Sequence, residues 1–277
     1  AKFLDSIGQT LPAMAPGSLS KFELVTQLTG TPNSVRFDDL KLSLDDSTFS
    51  GRIAVEDFAK QALRIQLKGD TFDADRYLPP KSAEANGAKA ARQAEVKGSE
   101  DSALAGSGDS PLPDAPTKSG WSTSKLIPVA HLKTLDLDAD ISFGQLTLSK
   151  LPIQNAALKA TSKAGVLTLE NLSGSLFKGT FAANGSLDVQ PILPLVKLQT
   201  RISNVPVEKI LQSQGQNSPV TGLLTLNSNI TASGNSQSAL IQSLNGTASF
   251  ALNNGVLLNA NIEQQLCKAI STLNRKT

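Results

Sequence analysis

The chain has 277 residues, of which 39% are hydrophobic and 20 are Gly, with a net charge of +2; this lies inside the globular range and excludes a chain disordered throughout. The charges are scattered rather than gathered into a basic stripe, and one Trp and one Tyr leave little to stack on bases, so no nucleic acid partner is expected. The single cysteine, Cys267, excludes an intramolecular disulfide and a thiolate metal cluster.

Read from its start, the chain opens on Ala1 without the charged-then-apolar leader of a secretory signal, and no run is apolar for long enough to span a bilayer. It reads as an excised soluble portion whose anchor lies outside it. Phe3, Leu4, Ile7 and Leu11 recur at spacings of three and four, predicting a short amphipathic helix over residues 1–13. Alternation then takes over. Leu63, Ile65 and Leu67 alternate with Arg64, Gln66 and Lys68, and Ile53 and Val55 continue the pattern upstream, as a strand with one dry and one wet face requires. Asp38-Asp39 and Asp45-Asp46 flank these runs as turn residues.

Residues 81–120 hold only Val96, Leu104 and Leu112 as large aliphatics and no aromatic, too little apolar surface to offset the entropy of ordering. This predicts a disordered linker, with transient helix over its Ala-Lys-Glu portion near 83–97. It divides the chain into an N-terminal β-rich segment, 1–80, and a larger segment, 121–277.

Beyond it, Leu135, Leu137, Ala139, Ile141 and Phe143 alternate with Asp136, Asp138, Asp140 and Ser142. The cleanest alternation is FKGTFAANGSLDV, which places Phe177, Phe181, Ala183, Leu187 and Val189 on one parity. Leu224, Leu226, Ile230 and Ala232, then Ala248, Phe250 and Leu252, repeat it. Helices are few and short. NVPVEKILQSQG has Pro206 where a first turn tolerates it and Gly215 as a stop, and SQSALIQSLNG has Ser236 or Ser238 as a cap. Ile262, Leu266, Ile270 and Leu273 stripe a terminal helix.

An internal repeat favours one elongated architecture over two unrelated domains. STFSGRIAV followed by ALRIQLKGDTFDADRYL parallels SLFKGTFAA followed by VKLQTRISNVPVEKIL, and SLNGTASFALNNGVLLNANIEQQL is a looser third copy.

Constellations that carry chemistry are poorly represented. His131, the only histidine, stands at the start of a strand without a Cys or Ser-Gly elbow nearby and reads as a surface residue. Cys267 follows Leu266 and packs as a small apolar side chain. Asp136, Asp138 and Asp140 carry calcium-loop spacing, but Ile141 and Thr147 stand where such a loop needs Gly and a carboxylate. The acids are therefore the wet side of a strand. Gly106-Ser107-Gly108 falls in the linker and makes no phosphate cradle. No catalytic residue, metal or cofactor is expected, and the chain is read as a non-enzyme.

What remains is the apolar face. Periodicity leaves two arrangements open: the closed core of a sandwich or barrel, or a curved sheet whose dry face stays open to an apolar ligand. Gly51, Gly179, Ala183, Gly185, Gly246 and Ala248 suit both, because small residues permit curvature and leave volume.

At this point the residues resemble the C-terminal region of the bacterial AsmA family. One mark is Leu167, Leu169, Leu172, Gly174, Leu176, Phe177 and Gly179; the other is Ser243, Leu244, Asn245, Gly246, Phe250, Leu252 and Gly255. The resemblance covers about 121–277, with 19–80 similar to the preceding part of the family. It implies an inner-membrane anchor followed by a periplasmic, mainly β body: a curved antiparallel sheet of repeated strand units forming an apolar groove, with a few short helices. The implied role is outer-membrane lipid homeostasis and biogenesis, with relatives viewed as bridge-like phospholipid carriers. The implied partners are phospholipid or another acyl-chain lipid, the inner membrane, and envelope proteins.

The lining expected from the inward parity is Ile53, Val55, Leu63, Ile65, Leu67, Leu137, Ile141, Phe143, Phe177, Phe181, Leu187, Leu224, Leu226, Ile230, Phe250 and Leu252. Exposing a sixteen-carbon tail to water costs on the order of 12 kcal/mol, at about 0.8 kcal/mol per methylene, and a continuous apolar row offsets most of it. The competing expectation is an interaction module with a closed β core that assists outer-membrane protein assembly through exposed strand edges.

Overall fold

A computed structural model describes residues 14–15, 17–78 and 121–257. The helices expected over 1–13 and 259–276, and the segment 81–120, lie outside the described residues.

Within them, eleven strands form one sheet whose spatial order is the chain order. They are β1 (Phe22–Thr31), β2 (Ser34–Leu44), β3 (Ser47–Asp57), β4 (Ala62–Asp73), β5 (Asp136–Leu148), β6 (Leu151–Lys163), β7 (Val166–Leu176), β8 (Gly179–Asp188), β9 (Leu195–Pro206), β10 (Val220–Ser233) and β11 (Asn245–Leu257). The chain is mainly β, as its alternation predicts. Tight turns impose the sequential order. Ser149-Lys150 joins β5 to β6, Ala164-Gly165 joins β6 to β7, and Phe177-Lys178 joins β7 to β8. All six residues have positive φ, the two-residue geometry whose twist matches that of the flanking strands.

One pair departs from the expected antiparallel pattern: β4 and β5 run parallel, with Leu63 beside Leu137, Ile65 beside Ala139 and Leu67 beside Ile141. The reason is topological. No hairpin joins them: β4 ends at Asp73, and β5 begins at Asp136 beside Ala62, where β4 began, so both set out in the same direction. An ion-pair cluster stitches this seam. Arg64 Nη1 lies 2.7 Å from the Asp136 carboxylate and donates to the Asp136 carbonyl at 3.0 Å, while its Nε lies 3.3 Å from Glu56. The Asp136 hydrogen bond raises the pKa of Arg64 above its ordinary value.

Three short helices decorate the strand ends: α1 (Val129–Thr134), α2 (Val207–Ser213) and α3 (Gln237–Gln242). Pro206 precedes α2, and the Ser236 hydroxyl caps α3 by accepting from the Ala239 N–H, both as the local signals predict. His131 is exposed, as expected, but it lies within α1 and not at the start of a strand, because Pro128 starts a helical turn before the strand begins. Asp38-Asp39 also differs: these residues lie inside β2, where Asp39 has φ 48° and the register with β3 shifts between Phe37 and Leu40. They form a bulge instead of a turn.

Candidate functional site

Register turns the alternation of separate strands into rows that cross the sheet. One row runs Val55, Leu63, Leu137, Ser162, Leu167, Leu187, Val196, Ala232. The next runs Ile53, Ile65, Ala139, Ala160, Leu169, Gly185, Leu198, Ile230, Gly246. A third carries Gly51, Leu67, Ile141, Leu158, Leu172, Ala183, Thr200, Ser228 and Ala248. Beyond it, Phe143 faces Ala156, and Phe181, Ile202, Leu226 and Phe250 line up across β8–β11, with Leu224 beside Leu252. No ionisable side chain interrupts these rows. Directly opposed residues share a face, so all the expected lining residues except one lie on a single apolar surface.

The exception is Phe177. It occupies the β7–β8 turn with φ 49°, and the hydrogen-bonded strands close across Leu176 and Gly179 instead. The aromatic-x-Gly signature misleads here, since Phe49 in the matching string lies within β3 and on the apolar face, opposite Leu42 and Gly69. Residues that sequence reasoning passed over include Leu158 and Ala160 on β6 and Val196, Leu198 and Ile202 on β9. The β9 set alternates as cleanly as the others, with Lys197, Gln199 and Arg201 between. On β7 a register shift between Leu169 and Leu172 lets Leu167, Leu169 and Leu172 share a face although their spacing breaks strict alternation.

This surface is open to solvent. None of the expected lining residues is buried, and Phe250 is 78% exposed. Side chains sealed between two sheets would be covered; most of these are half-buried, and among the described residues no second sheet faces them. The buried apolar residues are mostly small, such as Ala139 and Ala160, or sit at strand ends, such as Leu176, Val189 and Val205. A cleft of about 690 Å³ opens among Glu170, Asn184, Gln199, Arg201, Asn227 and Asn229 of the polar parity, with Ala183, Thr200, Ser228 and Ala248 also in its lining.

One end of the apolar surface carries an aromatic cluster. Phe72 packs edge-on against Phe49 at 5.3 Å and stacks on Phe143 at 5.8 Å and on Tyr77 at 5.2 Å. Tyr77 in turn donates to the Asp45 carboxylate at 2.6 Å, which also accepts from the backbone N–H groups of Leu19, Ser20 and Lys21. The Tyr77 hydroxyl and these N–H groups hold Asp45 well below the usual carboxylate range. Burial, followed by the Asp45 hydrogen bond, pushes Tyr77 up to about 12.

Asp136, Asp138 and Asp140 lie on the polar side of β5, beside Ala62, Arg64 and Gln66 of β4. Among the described residues no helix is long and apolar enough to cross a membrane.

Protein AsmA of Escherichia coli (strain K12) is 24% identical over 234 residues, covering 84% of this chain and 36% of that protein. The chain thus spans about a third of the length of the curated relative it matches. No solved structure matches. The AsmA family model matches residues 1–277 from end to end, and the chain belongs to the AsmA family.

Proposed function

We propose that this chain is a periplasmic lipid-binding module of an AsmA-like carrier, holding or passing acyl chains along the apolar face of its sheet in support of outer-membrane lipid homeostasis. One observation carries the reading: rows rich in Leu, Ile, Val and Phe, with no ionisable side chain among them, cross the sheet, and their large side chains are not fully buried. Such a surface is costly to leave bare, and contiguous exposed apolar area of this extent marks a binding face. A hydrocarbon tail laid along a row recovers about 0.8 kcal/mol per fully covered methylene and needs no polar anchor. Headgroup selectivity is accordingly weak in this reading, and no catalytic step is involved. Bulges in β2, β7 and β10 bend a sheet locally and favour a trough over a plane.

Native mass spectrometry of the purified chain tests the proposal. Phospholipid should co-purify and be displaced by excess fatty acid; a chain that stays lipid-free after incubation with phospholipid in mild detergent overturns it.

A second reading, strand addition by an envelope protein, draws on β11. Every residue of that strand is exposed, none of its 13 residues is charged, and among the described residues it pairs only with β10. Charge is the usual guard of a free edge.

A further inference from the structure

We propose that the end of the sheet formed by the β8–β9 loop, the segment 121–127 and the α3–β11 connection docks on the surface of an anionic lipid bilayer. The proposal stands on these end loops and not on the apolar face, so it holds or fails separately from the acyl-chain reading.

Three segments far apart in sequence meet there. Ser122 accepts from the Ser238 N–H at 3.0 Å, Leu126 donates to the Asn235 carbonyl at 3.2 Å, and Gly234 donates to the Pro194 carbonyl at 2.9 Å. Below them Val189 is fully buried and donates to the Gly165 carbonyl at 2.8 Å, so the loop rises from a fixed base. Its tip is Gln190-Pro191-Ile192-Leu193-Pro194. Ile192 is 100% exposed and Leu193 59%, and the flanking prolines limit the freedom that insertion would have to restrict. Leu126 and Leu244, from the two neighbouring segments, are 57% and 54% exposed. Single exposed aliphatics are ordinary; four projecting from one end of a fold are not.

Charge points to the same partner. Residues 121–135 contain Lys125 and Lys133 with no Asp or Glu, residues 233–247 contain no charge, and Lys163 and Lys197 flank the end. Its acids are Asp188 and, farther across the sheet, Asp136, Glu56 and Asp57, which are ion-paired with Arg64, Arg36 and Lys60. At the opposite end Asp45, Asp46, Asp73, Asp75 and Glu208 stand among Lys150, Lys178 and Lys209. Apolar tips framed by cations suit the headgroup and acyl boundary of an anionic leaflet, where the aliphatics enter and the lysines stay at the phosphates. Trp121, the only Trp, lies at this end beside Ser122, which is tied to α3 through Gln237 at 3.2 Å.

That Trp makes the test direct. The 277-residue chain is mixed with phosphatidylethanolamine/phosphatidylglycerol vesicles, with phosphatidylcholine vesicles as comparison, and floated on a density gradient. Wild type should float with the anionic vesicles, less so at high salt, with Trp121 emission shifted to the blue and quenched by brominated lipid. Ile192→Asp combined with Leu193→Asp should lower vesicle partitioning at least about tenfold; both side chains project into solvent, so the fold is retained. Val256→Asp, at the far end of β11, should bind as wild type. The proposal is overturned if wild type does not float, if the double variant floats equally, if bound protein shows no Trp121 quenching, or if only Val256→Asp loses binding. Lipid co-purifying with a non-floating double variant would leave the acyl-chain reading intact.

Discussion

Glutamate at both Phe181 and Leu226 probes the apolar face where it is most open. The two side chains flank Ile202 in the row that ends at Phe250, on β8, β9, β10 and β11, and neither is buried. Neighbouring strands lie about 4.8 Å apart, so a tail laid along this row passes about four methylenes over each strand. A methylene covered on one side only recovers about half of the full 0.8 kcal/mol, which gives about 1.6 kcal/mol per strand position. A carboxylate keeps its hydration shell and forfeits that contribution. Losing two positions costs about 3 kcal/mol, close to a 200-fold weakening. Displacement of a fluorescent fatty acid measures it, with circular dichroism and the guanidinium midpoint confirming that the variant folds. Asn227→Glu is the control: it adjoins Leu226 in sequence but points to the other face, where Arg201 donates to Asn227 at 3.3 Å, so its affinity should match wild type. A folded double variant within about threefold of wild type, roughly 0.7 kcal/mol, would refute the reasoning.

Replacing Phe177-Lys178 with Asn-Gly should raise stability by about 1–2 kcal/mol in urea titrations, because both residues now hold positive φ at a cost of that order for ordinary side chains. Lipid binding should be unchanged, since Phe177 is off the apolar rows. Ser162 is 2% exposed and its hydroxyl has no partner among the described residues; Ser162→Ala should therefore stabilise the chain by about 1 kcal/mol, read from the same titration. Arg64→Met removes the seam cluster and should cost about 1–2 kcal/mol, with Asp136→Asn costing less, because Arg64 also binds Glu56. For Asp45 the folded pKa is depressed below its ordinary 3.8, so its contribution is complete above that value and fades as pH falls through the folded one. Wild type and Asp45→Asn should accordingly differ most at neutral pH and converge in strongly acidic buffer, as followed by thermal melts.

Several features of the fold are legible in short strings of residues. Leu63-Arg64-Ile65-Gln66-Leu67 can only place its aliphatics on one side, because successive side chains of an extended backbone point to opposite faces. The same holds for Asp136, Asp138 and Asp140, whose regular spacing on the polar side of β5 needs no metal to explain it. Pro206 and Ser236 mark helix starts by backbone rules that act within one turn. Phe177 shows where such reading stops. The alternation FKGTF starts two residues before β8, and only the pairing of Leu176 with Gly179 reveals that the chain is still turning there. Leu172 shows the reverse, since a shift in register with β8 returns it to a face that strict alternation denies it.

The sequence by itself therefore determined a β-rich chain with one dry and one wet side, the short helices that start at Pro206 and Ser236, and its kinship with the AsmA family, since each follows from local backbone geometry or a short motif. Tertiary structure alone decided that β4 and β5 run side by side in parallel, that rows assembled from eleven strands have no second sheet over them among the described residues, and that Leu126, Ile192 and Leu244 gather at one end. The physical reason is that side-chain direction depends on the residue's own backbone. Neighbours, register and cover depend on hydrogen bonds between segments up to more than a hundred residues apart, such as Ile127 with Asn235.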